Sequence, residues 1–216
     1  NVFAGLMAKR MGLPIDRLVV ATNANDILDR AIKSGRYEMK GVLATTSPSM
    51  DIQVSSNFER LVFLANNRDA AAVTRAMDSL KQSNAFTLES AALQAIRNEF
   101  DSGATGEAAC AATMKSMLAE TGELLDPHTA VGVAVAQKHG GAAPMVTLAT
   151  AHPAKFPDAV KAATGVTPRL PSRLIHLLKA EERFTILPNS AAAVRSEERR
   201  VGKGVDLGGR RIIKKK

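Results

Sequence analysis

An α/β fold, helix-rich with parallel-sheet strands, is predicted by three features of this 216-residue chain. Two short apolar runs, RLVVAT at 17–22 and MVTLA at 145–149, have the unbroken hydrophobicity of buried parallel strands. Most of the intervening sequence carries a helical period with recognisable starts and stops. Two polar, loop-forming strings, SPSMDIQVSSNFER (47–60) and TAHPAKF (150–156), each follow an apolar run and precede a helical one. That is where α/β enzymes present ligand groups, because helix N-termini offer free N–H donors and a dipole that favours anions.

The elements follow in order. Residues 2–11 are helical in pattern and stop at Gly12. After the strand at 17–22, Asn23, Asn25 and Asp26 open a helix over 27–34, which Gly35 ends. Pro48 fixes a turn, and from about residue 52 the pattern is helical through Leu64. Two helices are predicted over 69–81 and 88–100, separated at Ser83 and Asn84; Gly103 and Gly106 break the pattern before a third over 107–120. Asp126 before Pro127 is a capping acid ahead of a proline at the first helical position, so a helix through Gln137 is well signalled. A core strand at 145–149, a helix at 157–163, another after Pro171 and a last strand at 184–187 complete the body. There is no internal repeat.

Composition narrows the function classes. With 45% hydrophobic and 23% charged residues the chain belongs among soluble globular proteins. No window has the roughly 18 apolar residues of a membrane span, and the first residues lack the basic-then-apolar pattern of a signal peptide. The single Cys110 sits in a helical stretch as a small core residue and fits a reducing, cytoplasmic setting. Net charge is +8, but residues 195–216 hold nine Lys/Arg and three Asp/Glu, so they carry +6 of it and the rest only +2. The body is nearly neutral, so its charge gives no reason to expect a nucleic-acid partner. The tail is expected to be a basic, disordered, non-native extension: 195–203 reads like a translated sequencing adapter, and the closing lysines like translated poly-A. The contrasting reading is a non-catalytic basic module that binds nucleic acid through this arm. The body is thus expected to span 1–194 and the tail 195–216. A start at Asn1, without an initiating Met and directly in a helical pattern, is expected to follow lost upstream sequence.

No zinc spacing, P-loop or serine-nucleophile elbow is present, so no metal is expected. In TAHPAKF, Thr150 places a hydroxyl at a strand tip, with His152 and Lys155 just beyond it. The plainer reading has Thr150 closing the strand, His152 as a satisfied loop histidine and Lys155 as a solvated charge. In the first string, Arg60 and the backbone N–H groups suit carboxylate or phosphate oxygens. The plainer reading has Ser49 or Asp51 capping a helix, with Asn57, Glu59 and Arg60 on its solvent face.

Both strings, together with MGLPI (11–15) and DPHTAV (126–131) in the same order, resemble threonine synthases over roughly residues 1–190. NVFAG (1–5) is similar to the end of that family's Gly-Asn-Phe-Gly-Asn phosphate loop, of which only the final Asn remains, as Asn1. The resemblance implies a pyridoxal-phosphate (PLP) enzyme of fold type II, the tryptophan-synthase-β-like fold. It implies that Thr150 bonds the pyridine nitrogen and that Asn1 edges the phosphate loop. Ser49, Asn57, Arg60, His152 and Lys155 would then line the substrate cleft. The implied reaction converts O-phospho-L-homoserine and water to L-threonine and phosphate. A neutral hydroxyl stabilises a protonated pyridine ring less than a carboxylate would, which suits elimination and replacement at Cβ and Cγ. The family's cofactor-bearing lysine lies upstream of the phosphate loop, so this chain is expected to hold no catalytic residue and to be inactive alone, a C-terminal part missing its own N-terminal portion. A threonine dehydratase-like lyase of the same fold is the nearer alternative.

Overall fold

The computed structural model describes residues 2–141, 143–182 and 184–202, the last five in backbone only. It divides into two compact units, 1–170 and 171–216. The first unit opens with α1 (Val2–Arg10), β1 (Leu18–Thr22), α2 (Ile27–Ser34) and β2 (Arg36–Glu38). A short 3₁₀ turn (Pro48–Met50) precedes α3 (Ser56–Ala65), α4 (Ala70–Ser83), β3 (Ala85–Thr87), α5 (Ser90–Glu99) and β4 (Phe100–Ala104). It closes with α6 (Glu107–Thr121), α7 (Pro127–Ala136), a 3₁₀ turn (Pro153–Lys155) and α8 (Pro157–Thr164).

The organising feature is the parallel pairing of β1 with β4, in register from Leu18 opposite Phe100 to Thr22 opposite Ala104. One face of this pair, with Val20 and Phe100, joins a core built by Leu6, Ile27, Ala31, Ile32, Phe58, Leu61, Val62, Leu80 and Ile96. The other face is turned to α7: a Cβ at Gly103 would lie 2.8 Å from Val135 Cγ1. Behind α7, a second cluster joins Cys110, Met114, Ala130, Val131 and Val160. Helices on both faces of a parallel pair are the α/β arrangement expected. The antiparallel pair of β2 with β3, Tyr37 opposite Phe86, closes the first core from one side.

Several helices begin or end where capping chemistry places them. Asp69 accepts from the N–H groups of Ala71 and Ala72 ahead of α4, and Asp126 does the same for His128 and Thr129 ahead of α7. Gly35 ends α2 at φ 79°, a left-handed conformation that favours glycine.

Two expected strands are not strands. Residues 145–149 are irregular, with Met145, Val146 and Leu148 exposed, and 184–187 are irregular too, with Phe184 and Ile186 exposed. A strand needs a ladder partner for its N–H and C=O groups, and neither run has one among the described residues. Instead residues 145–150 lie along α7. A Cβ at Gly132 would come within 2.9 Å of the Thr147 methyl, so a larger residue there would make that side chain shift. The true neighbour of β1 is β4, FDSGA, which reads as the end of a helix followed by a loop. Its Gly103 answers to the close approach of α7 and not to strand propensity.

In the second unit, Ser172–Lys179 forms a 3₁₀ helix and Ala191–Gly202 forms α9. The expectation of a tail without regular structure from residue 195 is corrected as far as Gly202. The helix opens on three alanines and runs into Arg and Glu, all strong helix formers. The remainder of that tail, 203–216, lies outside the described residues.

Cys110 is a core residue as expected: it is 2% exposed and its thiol contacts the Pro127 carbonyl at 3.4 Å. Burial first, then Glu107 and Asp126, push the thiol up to about 11. A group so buried and protonated should not react with a thiol reagent such as Ellman's at pH 8 in the folded chain. One equivalent should react once the chain is unfolded in urea.

Candidate functional site

The two polar strings meet around the first turn of α7. Asp126, 1% exposed, caps this helix: Oδ1 accepts from the His128 N–H at 2.9 Å and Oδ2 from the Thr129 N–H at 3.3 Å. Its carboxylate also takes two side-chain contacts, from His128 Nδ1 at 2.9 Å and from the Thr129 hydroxyl. The two arms then diverge. The Ser49 N–H donates to His128 Nε2 at 3.2 Å, and the Thr150 N–H donates to the Thr129 hydroxyl oxygen at 3.3 Å.

These contacts fix the tautomer of His128. Nε2 accepts from an amide N–H, so the ring proton sits on Nδ1 and is donated to Asp126. The ring is 7% exposed and lies tilted against Phe156, with centroids 4.6 Å apart. Lys155 Nζ sits 5.9 Å from the centroid of that same Phe156 ring.

The loop carrying Ser49 has its own polar scaffold. Asp51 Oδ1 accepts from Asn23 Nδ2 at 2.7 Å, from Asn25 Nδ2 at 2.9 Å and from the Thr45 hydroxyl at 2.6 Å. Its Oδ2 accepts from the Thr45 N–H at 2.9 Å. Asn23 Nδ2 also reaches the Ser47 hydroxyl at 2.9 Å, and Asn25 exchanges hydrogen bonds with both the N–H and C=O of Leu43. Burial pushes the Asp51 carboxyl up. The Thr45 hydroxyl and N–H and the Asn23 amide outweigh it, so Asp51 is held below the usual carboxylate range. A residue on the neighbouring turn is anchored as well: Glu107 Oε2, at the start of α6, accepts from the Thr46 N–H at 3.1 Å.

The sequence-derived site residues divide accordingly. Thr150 is exposed; its main chain is tied down, while its hydroxyl has no hydrogen bond among the described residues. Ser49 is exposed and held through its main chain. His152 is exposed, and its Nδ1 accepts from the Ala154 N–H at 3.1 Å, capping the 3₁₀ turn. Lys155 is exposed beside Phe156. Arg60 and Asn57 stand apart: Arg60 Nη1 donates to Asn57 Oδ1 at 3.5 Å and its guanidinium lies 5.7 Å from the Phe3 ring centroid. Among the described residues no hydrogen bond or ion pair joins either to Thr150, His152 or Lys155. Asn1 lies outside the described residues.

Residue patterning passed over the groups that join the strings. Asp126 reads as a helix cap, and its second role is visible only as the donors His128 and Thr129 two and three places on. Asn23 and Asn25 read as caps of α2, but that helix is preceded by Asp26, which makes no side-chain cap. Both asparagines are buried and bind the 43–51 loop instead. Asp51 likewise belongs to that scaffold and caps no helix.

Residues 129–197 match the family described as "Threonine synthase, C-terminal". The threonine synthase of Pseudomonas aeruginosa is 46% identical over 199 residues, which are 91% of this chain and 42% of that protein. Among solved structures, a PLP-bound threonine synthase from Brucella melitensis is 58% identical with a TM-score of 0.85, covering 92% of this chain and 43% of that one. A threonine synthase from yeast is 34% identical with a TM-score of 0.77, covering 94% and 45%. The chain therefore spans less than half the length of the relatives it matches. Among the described residues no helix is long and apolar enough to cross a membrane.

Proposed function

We propose that this chain belongs to the threonine synthase family and contributes the C-terminal part of a PLP-dependent, cytoplasmic enzyme that converts O-phospho-L-homoserine and water to L-threonine and phosphate. The observation that carries this reading is the likeness, at 58% identity over 92% of the chain, to a threonine synthase with PLP bound. The geometry fits the cofactor. Thr150 presents a free neutral hydroxyl on a segment whose main chain is held by Thr129, which is the donor set a pyridine nitrogen needs without a strong charge.

Bound PLP supplies the electron sink that makes the substrate's Cα proton acidic. The residues of this chain hold and orient. Thr150 bonds the ring nitrogen, and Asn1 contributes to the phosphate loop. Lys155, with His152 beside it, offers a cation for the departing phosphate or the substrate carboxylate. Ser49, Arg60 and Asn57 would meet the substrate from the first string. The covalent lysine is assigned to a part of the family's sequence outside this chain, so the chain alone is expected to be inactive.

The test expresses the gene that carries this sequence at its full length and supplies PLP and O-phospho-L-homoserine. Phosphate and threonine should appear in equal amounts. Thr150→Val should lower kcat roughly tenfold while the cofactor stays bound, since one hydrogen bond to a charged or developing-charge group is worth about 1.5 kcal/mol. Formation of a 2-oxo acid from threonine, with no phosphate release, would instead favour the dehydratase-like reading.

A further inference from the structure

Asp126 stands at the branch of two hydrogen-bonded arms that end on residues from opposite strings of the candidate site. One arm runs from its Oδ1 through the His128 ring to the Ser49 N–H, and the other from its Oδ2 through the Thr129 hydroxyl to the Thr150 N–H. All three joining residues are buried, Asp126 at 1%, Thr129 at 5% and His128 at 7% exposure, whereas Ser49 and Thr150 are exposed. We propose that Asp126 is a positioning residue: it sets the substrate-side residue Ser49 and the cofactor-side residue Thr150 on one rigid helix end through His128 and Thr129. The proposal rests on the enzyme reading above for the roles of Ser49 and Thr150, but the coupling itself does not.

The chemistry of the arms explains why these residue types occur together. A carboxylate has two oxygens and so can receive one arm on each while still capping the helix. Histidine in its neutral form donates on one side and accepts on the other, passing the anchor on to a main-chain donor. Threonine's hydroxyl does the same over a shorter distance. Neither terminal side chain is consumed: only the N–H groups of Ser49 and Thr150 are used, leaving both hydroxyls toward ligand. An exposed irregular segment such as 145–150 has no ladder to hold it. A fixed geometry at Thr150 therefore needs an anchor of this kind.

Single-amide hydrogen exchange measured by NMR on the chain without ligand tests the coupling. In the unsubstituted chain both the Ser49 and Thr150 amides should be protected. Thr129→Val should speed exchange at Thr150 about tenfold, the equivalent of one hydrogen bond, and leave Ser49 unchanged. His128→Leu should do the reverse, and Asp126→Ala should release both. Thr129→Ser and His128→Gln, which keep the hydroxyl and an acceptor at the Nε2 position, should restore protection. These four single-arm variants decide the matter even where Asp126→Ala fails to fold. Equal acceleration of both amides in each single-arm variant, or an unprotected Thr150 amide at the outset, would overturn the proposal.

A second readout uses the full-length, PLP-loaded enzyme. His128→Leu should raise KM for O-phospho-L-homoserine with the cofactor absorption unchanged, whereas Thr129→Val should shift that absorption. A correct exchange pattern without this split would uphold the coupling and count against the enzyme reading.

Discussion

Replacing Tyr37 by Ala should destabilise the chain by about 3–5 kcal/mol, the range for removing a large buried ring and leaving its cavity. Tyr37 is 2% exposed and forms the middle of an aromatic stack, 4.9 Å from Phe86 and 5.4 Å from Phe58 between centroids. The stack joins the antiparallel pair to α3, so its loss unties two elements at once. The hydroxyl adds a second, separable effect. It donates to the Gln53 carbonyl at 3.1 Å and accepts from the Ser55 N–H at 2.9 Å. Burial pushes its ionisation up, despite the Ser55 hydrogen bond that opposes this, so the donor is retained at neutral pH. Tyr37→Phe keeps the stack and removes only these bonds, and should cost about 1–3 kcal/mol because a partly buried N–H is left without a partner. Urea unfolding of the three chains gives both numbers. A Tyr37→Phe loss as large as that of Tyr37→Ala would mean that the hydrogen bonds, and not ring packing, hold α3 in place. Ser55 immediately precedes α3, which carries Asn57 and Arg60, so the position of those two residues depends on the same ring.

What the residues foretold, and what they hid, follows from which forces act locally. Helices with capping acids or glycine stops, such as α4, α7 and α2, are legible because the signals lie within one turn of the element they end. β4 is illegible because Gly103 suits the approach of a distant helix, a tertiary requirement that opposes strand propensity. Residues 145–149 mislead for the opposite reason: their apolar pattern is a strand's, but the described residues supply no neighbour. In the site, Thr150, His152, Lys155 and Ser49 were visible as polar groups in loop sequence and through family resemblance. Asp126, His128, Asn23 and Asn25 were not singled out as site residues: Asp126, Asn23 and Asn25 look locally like caps, and the partners that His128, Asn23 and Asn25 hold in the fold lie between 18 and 79 positions away.

Asp51→Ala should cost about 2–4 kcal/mol, since it leaves several part-buried donors without an acceptor and each carries a desolvation penalty of about 1–3 kcal/mol, partly relieved by relaxation. Those donors are the Asn23 and Asn25 amides and the hydroxyl and N–H of Thr45. Asp51→Asn keeps one acceptor oxygen and should fall between the two. The sign with pH is fixed by the direction of the shift. Asp51 is held below its ordinary value in the folded chain, so the unfolded chain binds the proton more readily. The stabilisation from its charge is therefore fully present above the unfolded value of about 3.9 and is lost as pH falls through the lower, folded value. The stability gap between the unsubstituted chain and Asp51→Asn should accordingly be constant from pH 7 to about 5 and narrow below pH 4. A gap that widened on acidification would show that the scaffold prefers a protonated carboxyl, and the network would then have Asp51 donating to Thr45 or Asn23. Because Asn23 and Asn25 follow β1 directly while Ser47 and Ser49 flank Pro48, this carboxylate ties the tip of the parallel pair to the loop that meets His128. Its loss should therefore also raise exchange at the Ser49 amide, through a route that bypasses Asp126.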